Sequence, residues 1–190
     1  MDDYSGELKR NGKRAEVLIN NYFVNKGFIV KDVSEQKTFQ NSEIDLILYN
    51  KYGKDVKVEI KSDRHIKSNA NIIVEMKRYY HNLNRFYDGW YKFSKADYII
   101  YVNQVYKKIY IINFKHFKVA IQAYNNFFGI PSDTKVIMDG NDPKTTYNRC
   151  YSFIELTNRF NLNILELNID VDELKVNEEV KKYMKSLEVK

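Results

Sequence analysis

"SEIDLILYNKYGKDVKVEIKSD", residues 42–63, decides the fold. Two alternating runs, EIDLILY and KDVKVEIKS, flank Lys51-Tyr52-Gly53. Period-two alternation sends successive side chains to opposite faces of a strand. A three-residue loop with glycine last matches a type I turn followed by a left-handed residue, so the stretch reads as a β-hairpin. The loop pairs Asn50 with Lys54, and paired residue numbers then sum to 104. Ile44 faces Ile60, Leu46 faces Val58 and Leu48 faces Val56, giving one apolar face. The other face sets Asp45 directly opposite Glu59, with Lys61 two residues further along. Directly opposed residues have Cβ atoms about 4.5–5.5 Å apart, so two carboxylates in that position repel each other. A divalent cation reverses the sign, because hard Mg²⁺ takes oxygen ligands and commonly one or two carboxylates. Lys61 beside it could orient a water or neutralise charge building on a phosphate. The alternative is a structural charge ladder on an exposed sheet face.

Upstream, residues 8–26 read as a helix, with Ala15, Leu18, Ile19, Tyr22 and Phe23 on one stripe and Gly27 as its stop. Glu16 lies at the edge of that stripe. It either reaches over the sheet as a third acid or is an ordinary helix-flank glutamate. FIVKDV follows as a short strand. Downstream, NIIVEMK is a strand in which Glu75 and Lys77 alternate with Ile72, Val74 and Met76. Glu75 is either an extra acid of the same cleft or an exposed strand residue. Residues 78–95 read as an irregular or partly helical connection with Trp90 in the core. ADYIIYVN and KIYIINF are two further strands around a turn at Gln104 to Lys107, and FKHFKVAIQAYNNF is a helix ended by Gly129 to Pro131. KVIMDGNDPKTTYNRC reads mostly as turn and loop, YSFIEL and NILELNI as short apolar runs, and DELKVNEEVKKYMKSLEV as a charged amphipathic helix. The expected organisation is one α/β domain over residues 1–190, with a core at roughly 8–128 and a C-terminal extension at 129–190.

Composition bounds the functional classes. The chain has 190 residues, 44% hydrophobic and 29% charged, which is a globular composition with enough length to bury a core. Its net charge of +6 suits a polyanionic partner and equally suits a generally basic protein. The single cysteine, Cys150, precludes an internal disulfide framework. MDDYSGELKR lacks the apolar segment of a signal peptide, and no stretch approaches the ~18 apolar residues of a membrane span, so the expected location is the cytoplasm. His65, His81 and His116 are not spaced as a zinc set, there is no glycine-rich phosphate loop, and DGNDP reads as a turn rather than a calcium loop. In KSDRHIKSN, residues 61–69, Arg64, His65 and Lys67 are candidates for phosphate contacts, with a solvated loop as the alternative. Arg78 and Arg85 interleave with Tyr79, Tyr80, Tyr87 and Trp90. Such a run either grips phosphates and stacks on unpaired bases, or packs under a loop.

Asp45, then Glu59-Ile60-Lys61 on the next strand, with Glu16 on an upstream helix, resembles the PD-(D/E)xK nuclease superfamily. GKRAEVLINNYFVNKGF is similar to that superfamily's first helix, and the resemblance covers roughly residues 8–112. It implies a restriction-endonuclease-like α/β core, a central mixed sheet flanked by helices. It implies hydrolysis of phosphodiester bonds in DNA, with RNA also compatible, using Mg²⁺ for which Mn²⁺ can substitute. The subtype would be structure-specific, restriction-like or an exonuclease, and a homodimer is a compatible assembly. Asp45, Glu59 and the backbone carbonyl of Ile60 would bind the metal, Lys61 would be the catalytic lysine and Glu16 an auxiliary acid. Ile44 stands where the motif carries proline. Because E-x-K recurs at Glu7, Glu75 and Glu173, the conjunction of helix, hairpin and lysine carries the resemblance rather than the tripeptide. The competing classes are an inactive nucleic-acid-binding module and a protein-interaction module on the same scaffold.

Overall fold

A computed structural model describes residues 4–49, 53, 55–62, 71–103, 107–138 and 143–168. The chain opens with α1 (Tyr4–Asn25), β1 (Ile29–Asp32) and a short α2 (Lys37–Gln40). The hairpin strands β2 (Leu46–Tyr49) and β3 (Asp55–Ser62) follow, then β4 (Asn71–Tyr80), β5 (Arg85–Asp88) and α3 (Trp90–Phe93). Next are β6 (Tyr98–Asn103), β7 (Lys108–Asn113) and α4 (Phe114–Phe128). The remaining described elements are β8 (Thr134–Met138), β9 (Lys144–Ser152), α5 (Phe153–Asn158) and β10 (Ile164–Asn168).

Among the described residues these strands form two sheets. One has the order β1-β2-β3-β6-β7-β10, the other β5-β4-β9-β8. β3 and β6 run parallel while their neighbours run antiparallel, so the larger sheet is mixed. The protein is therefore an α/β fold with a central mixed sheet flanked by helices. The hairpin register pairs Leu46 with Val58 and Leu48 with Val56, as the 104 sum requires. Gly53 has φ of +73°, the left-handed conformation expected of the last loop residue.

Alternation in β3 and β6 feeds two cores on opposite faces of the mixed sheet. Ala15, Leu18 and Ile19 of α1 pack on Leu46, Leu48, Val58, Ile60, Ile100 and Val102. On the other face, Ile99, Tyr101, Tyr110 and Ile112 meet Ile72, Val74, Met76 and Tyr151 of the second sheet, with Phe117, Ala120 and Ile121 of α4. Fully burying one such aliphatic or aromatic side chain stabilises by about 1.5–3 kcal/mol, so this double-sided burial dominates the stability. α4 starts at Asn113, whose side chain accepts from the His116 N–H at 3.1 Å, and stops at Gly129 with φ of +82°.

Three sequence expectations are corrected. Ile44 does not join the Ile60 face. It packs with Val33 and Ile47 in a separate small cluster, because Glu43 has φ of +47° and the chain turns there instead of extending the strand. Residues 78–95 are partly helical, as one of the two readings has it, at His81–Leu83 and Trp90–Phe93, but β4 also runs on to Tyr80 and pairs with β5. The alternation is hidden by an irregularity between Glu75 and Lys77, where Met76 is an extra residue opposite β9. Residues 135–150 are not mostly loop, since β8 and β9 form an antiparallel pair through Lys135–Tyr147, Val136–Thr146 and Ile137–Thr145. Residues 129–168 thereby supply three strands to the two sheets, and Tyr151, Leu156 and Leu162 to the larger core. Trp90 is core, as expected, at 3% exposure. The C-terminal amphipathic helix expected beyond Asn168 lies outside the described residues. No helix of the described residues is long and apolar enough to cross a membrane.

Candidate active site

The site forms where the hairpin ladder ends. β2 gives way at Asp45, and the Asp45 N–H donates to the Val58 carbonyl at 2.9 Å, one residue off the register that would oppose it to Glu59. The carboxylate of Asp45 accepts from the Ile60 N–H at 2.7 Å. A side-chain oxygen thus serves the β3 amide that Ile44 would have faced had the strand continued.

Glu59 and Lys61 alternate with Ile60 and therefore point away from α1, under the second sheet. Glu59 is 2% exposed. Lys61 forms an ion pair with Glu59, approaches Glu43 at 3.2 Å, and lies 5.3 Å from the centre of the Trp90 ring. Glu43 in turn accepts from Arg78 Nη2 at 2.8 Å, and Arg78 Nε reaches Glu75. A continuous chain of alternating charge therefore runs Glu59, Lys61, Glu43, Arg78, Glu75. The left-handed turn that aims Glu43 inward is held from across the sheet: Ser94 Oγ donates to the Glu43 carbonyl at 3.3 Å, and the Lys95 N–H to the Ser42 carbonyl at 3.0 Å.

The network divides its acids into two kinds. Burial pushes Glu43 up, but Lys61 and Arg78 outweigh it and hold its carboxyl down at about 2. Asp45 moves the other way. Burial pushes it up to about 6, with Glu16 and Glu43 adding to the rise and Lys61 and the Ile60 amide opposing it. Burial also raises Glu59 well above the ordinary range, helped by the charges of Asp45 and Glu43 against the pull of Lys61. Lys61 is raised despite its burial, because Glu59, Glu43 and Asp45 surround it. Glu59 Oε2 is buried and, among the described residues, accepts no hydrogen bond from a cationic or amide donor, while the Glu59 carboxyl also helps to hold Glu43 down through a side-chain hydrogen bond. Two oxygen-bearing groups are thus desolvated and under-compensated, while the neighbouring pair around Glu43 is satisfied.

Asp45 is not directly opposite Glu59 as the hairpin reading expects, because β2 starts only at Leu46, but the charges of Asp45, Glu59 and Lys61 still act on one another. Glu16 is bonded to Lys13 at 2.9 Å, and its charge still acts on Asp45. Glu75 connects to the centre through Arg78. Arg78 itself is committed to two carboxylates, and Arg85 lies on the exposed β5 with its guanidinium 5.5 Å from the Tyr87 ring centre. Arg64, His65 and Lys67 fall outside the described residues. Glu43 escaped the sequence reading. Its signal was a third acid two residues before Asp45, masked by treating residues 43–49 as one uninterrupted strand.

Among the described residues, no trio of His, Cys, Asp or Glu side chains is arranged around one metal position. The donor set still fits Mg²⁺, which is bound through one or two carboxylates and keeps several waters. The orphaned Glu59 Oε2 and the raised Asp45 are the observations that favour a cation there.

Fold and site together define an α/β protein with a buried acid–lysine centre at the end of a β-hairpin. No known family model matches the chain, and no curated protein matches it. Among solved structures the chain is similar to a bacterial homing endonuclease, I-Ssp6803I, with a TM-score of 0.43 and 16% identity over 56% of this chain and 69% of that one. That likeness is partial and assigns no function.

Proposed function

We propose that the protein is a Mg²⁺-dependent nuclease that hydrolyses phosphodiester bonds in DNA. The observation that carries this reading is the buried Glu59 carboxyl, with one oxygen unpartnered, sharing its surroundings with Asp45 and Lys61. Asp45, Glu59 and the carbonyl of Ile60 would hold the cation. When bound, Mg²⁺ supplies Lewis acidity that lowers the pKa of a water and polarises the phosphate.

The remaining roles belong to the chain's own groups. Lys61 is held above its ordinary pKa, so at neutral pH it is a cation and not a proton acceptor. Its part is to neutralise charge that builds on the phosphate in the transition state. Glu43 fixes where that cation sits, because its own charge is secured by Arg78. The buried Trp90 ring, 5.3 Å from Lys61 Nζ, would limit water on that side of the cation. Glu16, whose charge acts on Asp45 through space, would be the auxiliary acid.

The test is a cleavage panel of single-stranded, duplex, flap and four-way-junction DNA, each with Mg²⁺, Mn²⁺ or EDTA. Cleavage that requires the cation and disappears in Asp45→Asn supports the reading. Tight DNA binding with no cleavage under any condition would make the protein a nucleic-acid-binding module, and absence of both would leave the protein-interaction class.

A further inference from the structure

Beside the acid–lysine centre lies a cleft of about 580 Å³. Glu43, Arg78, Tyr80, Leu83, Tyr87 and Phe93 are among the residues that line it. We propose that this cleft binds an unpaired nucleotide, with the base stacked on the exposed ring of Tyr87, which packs edge-to-face on Tyr80 at 5.4 Å, and the phosphate toward Lys61. The inference rests on the nucleic-acid reading above and deepens it, making the substrate a DNA with single-stranded nucleotides next to the scissile bond.

Three observations carry it. The first is register. Arg78 pairs with Tyr87 and Tyr80 with Arg85, so these four side chains share one face of the β4–β5 hairpin. Of the interleaved cations and aromatics of the sequence, Arg78, Tyr80, Arg85 and Tyr87 therefore share a face of the hairpin, while Trp90 is core. Tyr87 is 41% exposed and Leu83 62%. The second is charge. Both acids lining the cleft are already neutralised, Glu43 by Lys61 and Arg78, and Asp88 by Lys92 at 2.7 Å. Arg85 and Lys144 add cations over the rings of Tyr87 and Tyr80, at 5.5 and 5.7 Å. The surface thus offers aromatic faces inside a positive rim, the combination that binds single strands. The third is position. Glu43 touches both the cleft and Lys61, so one carboxylate separates the base site from the proposed chemistry. The volume falls within the range of small-molecule sites, which suits one nucleotide and not a duplex. Gln40 and Asn41 at the edge supply amides able to meet the hydrogen-bonding groups of a base.

The experiment uses the full chain in EDTA, so that no turnover occurs. The probe is a single-stranded oligonucleotide carrying 2-aminopurine, compared with the same sequence in a blunt duplex. Binding should quench the fluorescence of the single strand. Base–aromatic stacking predicts that Tyr87→Ala weakens single-strand binding by about five- to a hundredfold, leaves duplex binding unchanged, and is rescued by Tyr87→Phe. Tyr87 is exposed, and a thermal melt of each variant confirms that the fold survives. Equal weakening on both probes, or wild-type single-strand binding by Tyr87→Ala, would overturn the inference. Selective single-strand binding without cleavage in Mg²⁺ would sustain this site and sink the nuclease reading. Cleavage of blunt duplex with no single-strand preference would do the reverse.

Discussion

Asp45 and Glu43 lie two positions apart and meet opposite electrostatic fates, which gives the apo protein a distinctive pH response. Asp45 has its pKa raised from 3.8 to about 6 in the fold, so between those values the folded state keeps a proton that the unfolded chain releases. Apo stability therefore falls as pH rises through that window and stays lower above it. Glu43, lowered from 4.5 to about 2, contributes stability that is present above the window and is lost as pH falls through it. Replacing Asp45 with asparagine removes the charge but keeps an acceptor for the Ile60 amide. We expect Asp45→Asn in EDTA to be more stable than wild type at pH 7–8 by on the order of 2–3 kcal/mol, with the difference gone below about pH 4. Denaturant melts across pH would reveal it, and a destabilised Asp45→Asn at neutral pH would make Asp45 a structural residue. Alanine is a poorer probe, because it orphans the Ile60 N–H at a cost of about 1–3 kcal/mol. For Lys61→Ala the expected result is Mg²⁺ binding retained by calorimetry and turnover lowered about 10²–10⁴-fold. Full activity in that variant would reduce Lys61 to a packed cation over Trp90.

At the scale of elements, Gly89 shows how β4 and α3 are joined. Its N–H donates to the Met76 carbonyl at 2.8 Å, at the irregular point of β4. A Cβ there would come within 2.7 Å of the Met76 carbonyl carbon and closer still to the Glu75 carbonyl. Both obstacles are backbone and cannot rotate away. Gly89→Ala should therefore cost about 3 kcal/mol and disturb Glu75 and Arg78, measurable as a lower denaturation midpoint. A neutral Gly89→Ala would mean that the β4–α3 contact is loose enough to take a methyl group. The same elements explain what the sequence could convey. The β2–β3 register was legible because period-two alternation and a glycine-ended loop agree on one pairing. The turn at Glu43 was not, because a glutamate with positive φ carries no compositional mark, and so Ile44 was assigned to the wrong face. β4 beyond Lys77 was hidden because one extra residue, Met76, resets the alternation. β8 and β9 were hidden by Thr and Asn at pairing positions, with Gly140 and Pro143 between them suggesting loop. Asp45, Glu59 and Lys61 were legible as a group because all three follow from the hairpin. Glu43 and the bridging role of Arg78 depend on contacts between the two sheets, which no local pattern encodes.

For the molecule as a whole, the basic excess of +6 gives a direct expectation for DNA binding. Log affinity should fall linearly with log salt, with a slope of about −0.9 per neutralised phosphate on duplex DNA. Replacing Arg64 and Lys67 together should make the slope shallower by up to about two units, alike for all sequences. Salt-insensitive binding in a filter or anisotropy assay would argue against a polyanionic partner. The parallel pairing of β3 with β6 has a consequence in time rather than in space. The strand bearing Glu59 and Lys61 ends at Ser62, and its neighbour begins only at Tyr98, after β4, β5 and α3. During refolding the two halves of the mixed sheet can join only once the intervening chain has folded back across it. Pairings of such sequence separation are slow to form, on the order of milliseconds to seconds. The hairpin can close early on its own turn, but Lys61 meets Trp90 and Glu43 meets Arg78 only when the second sheet docks. Competence of the centre should accordingly emerge with the last kinetic phase, after most of the secondary structure has already been laid down.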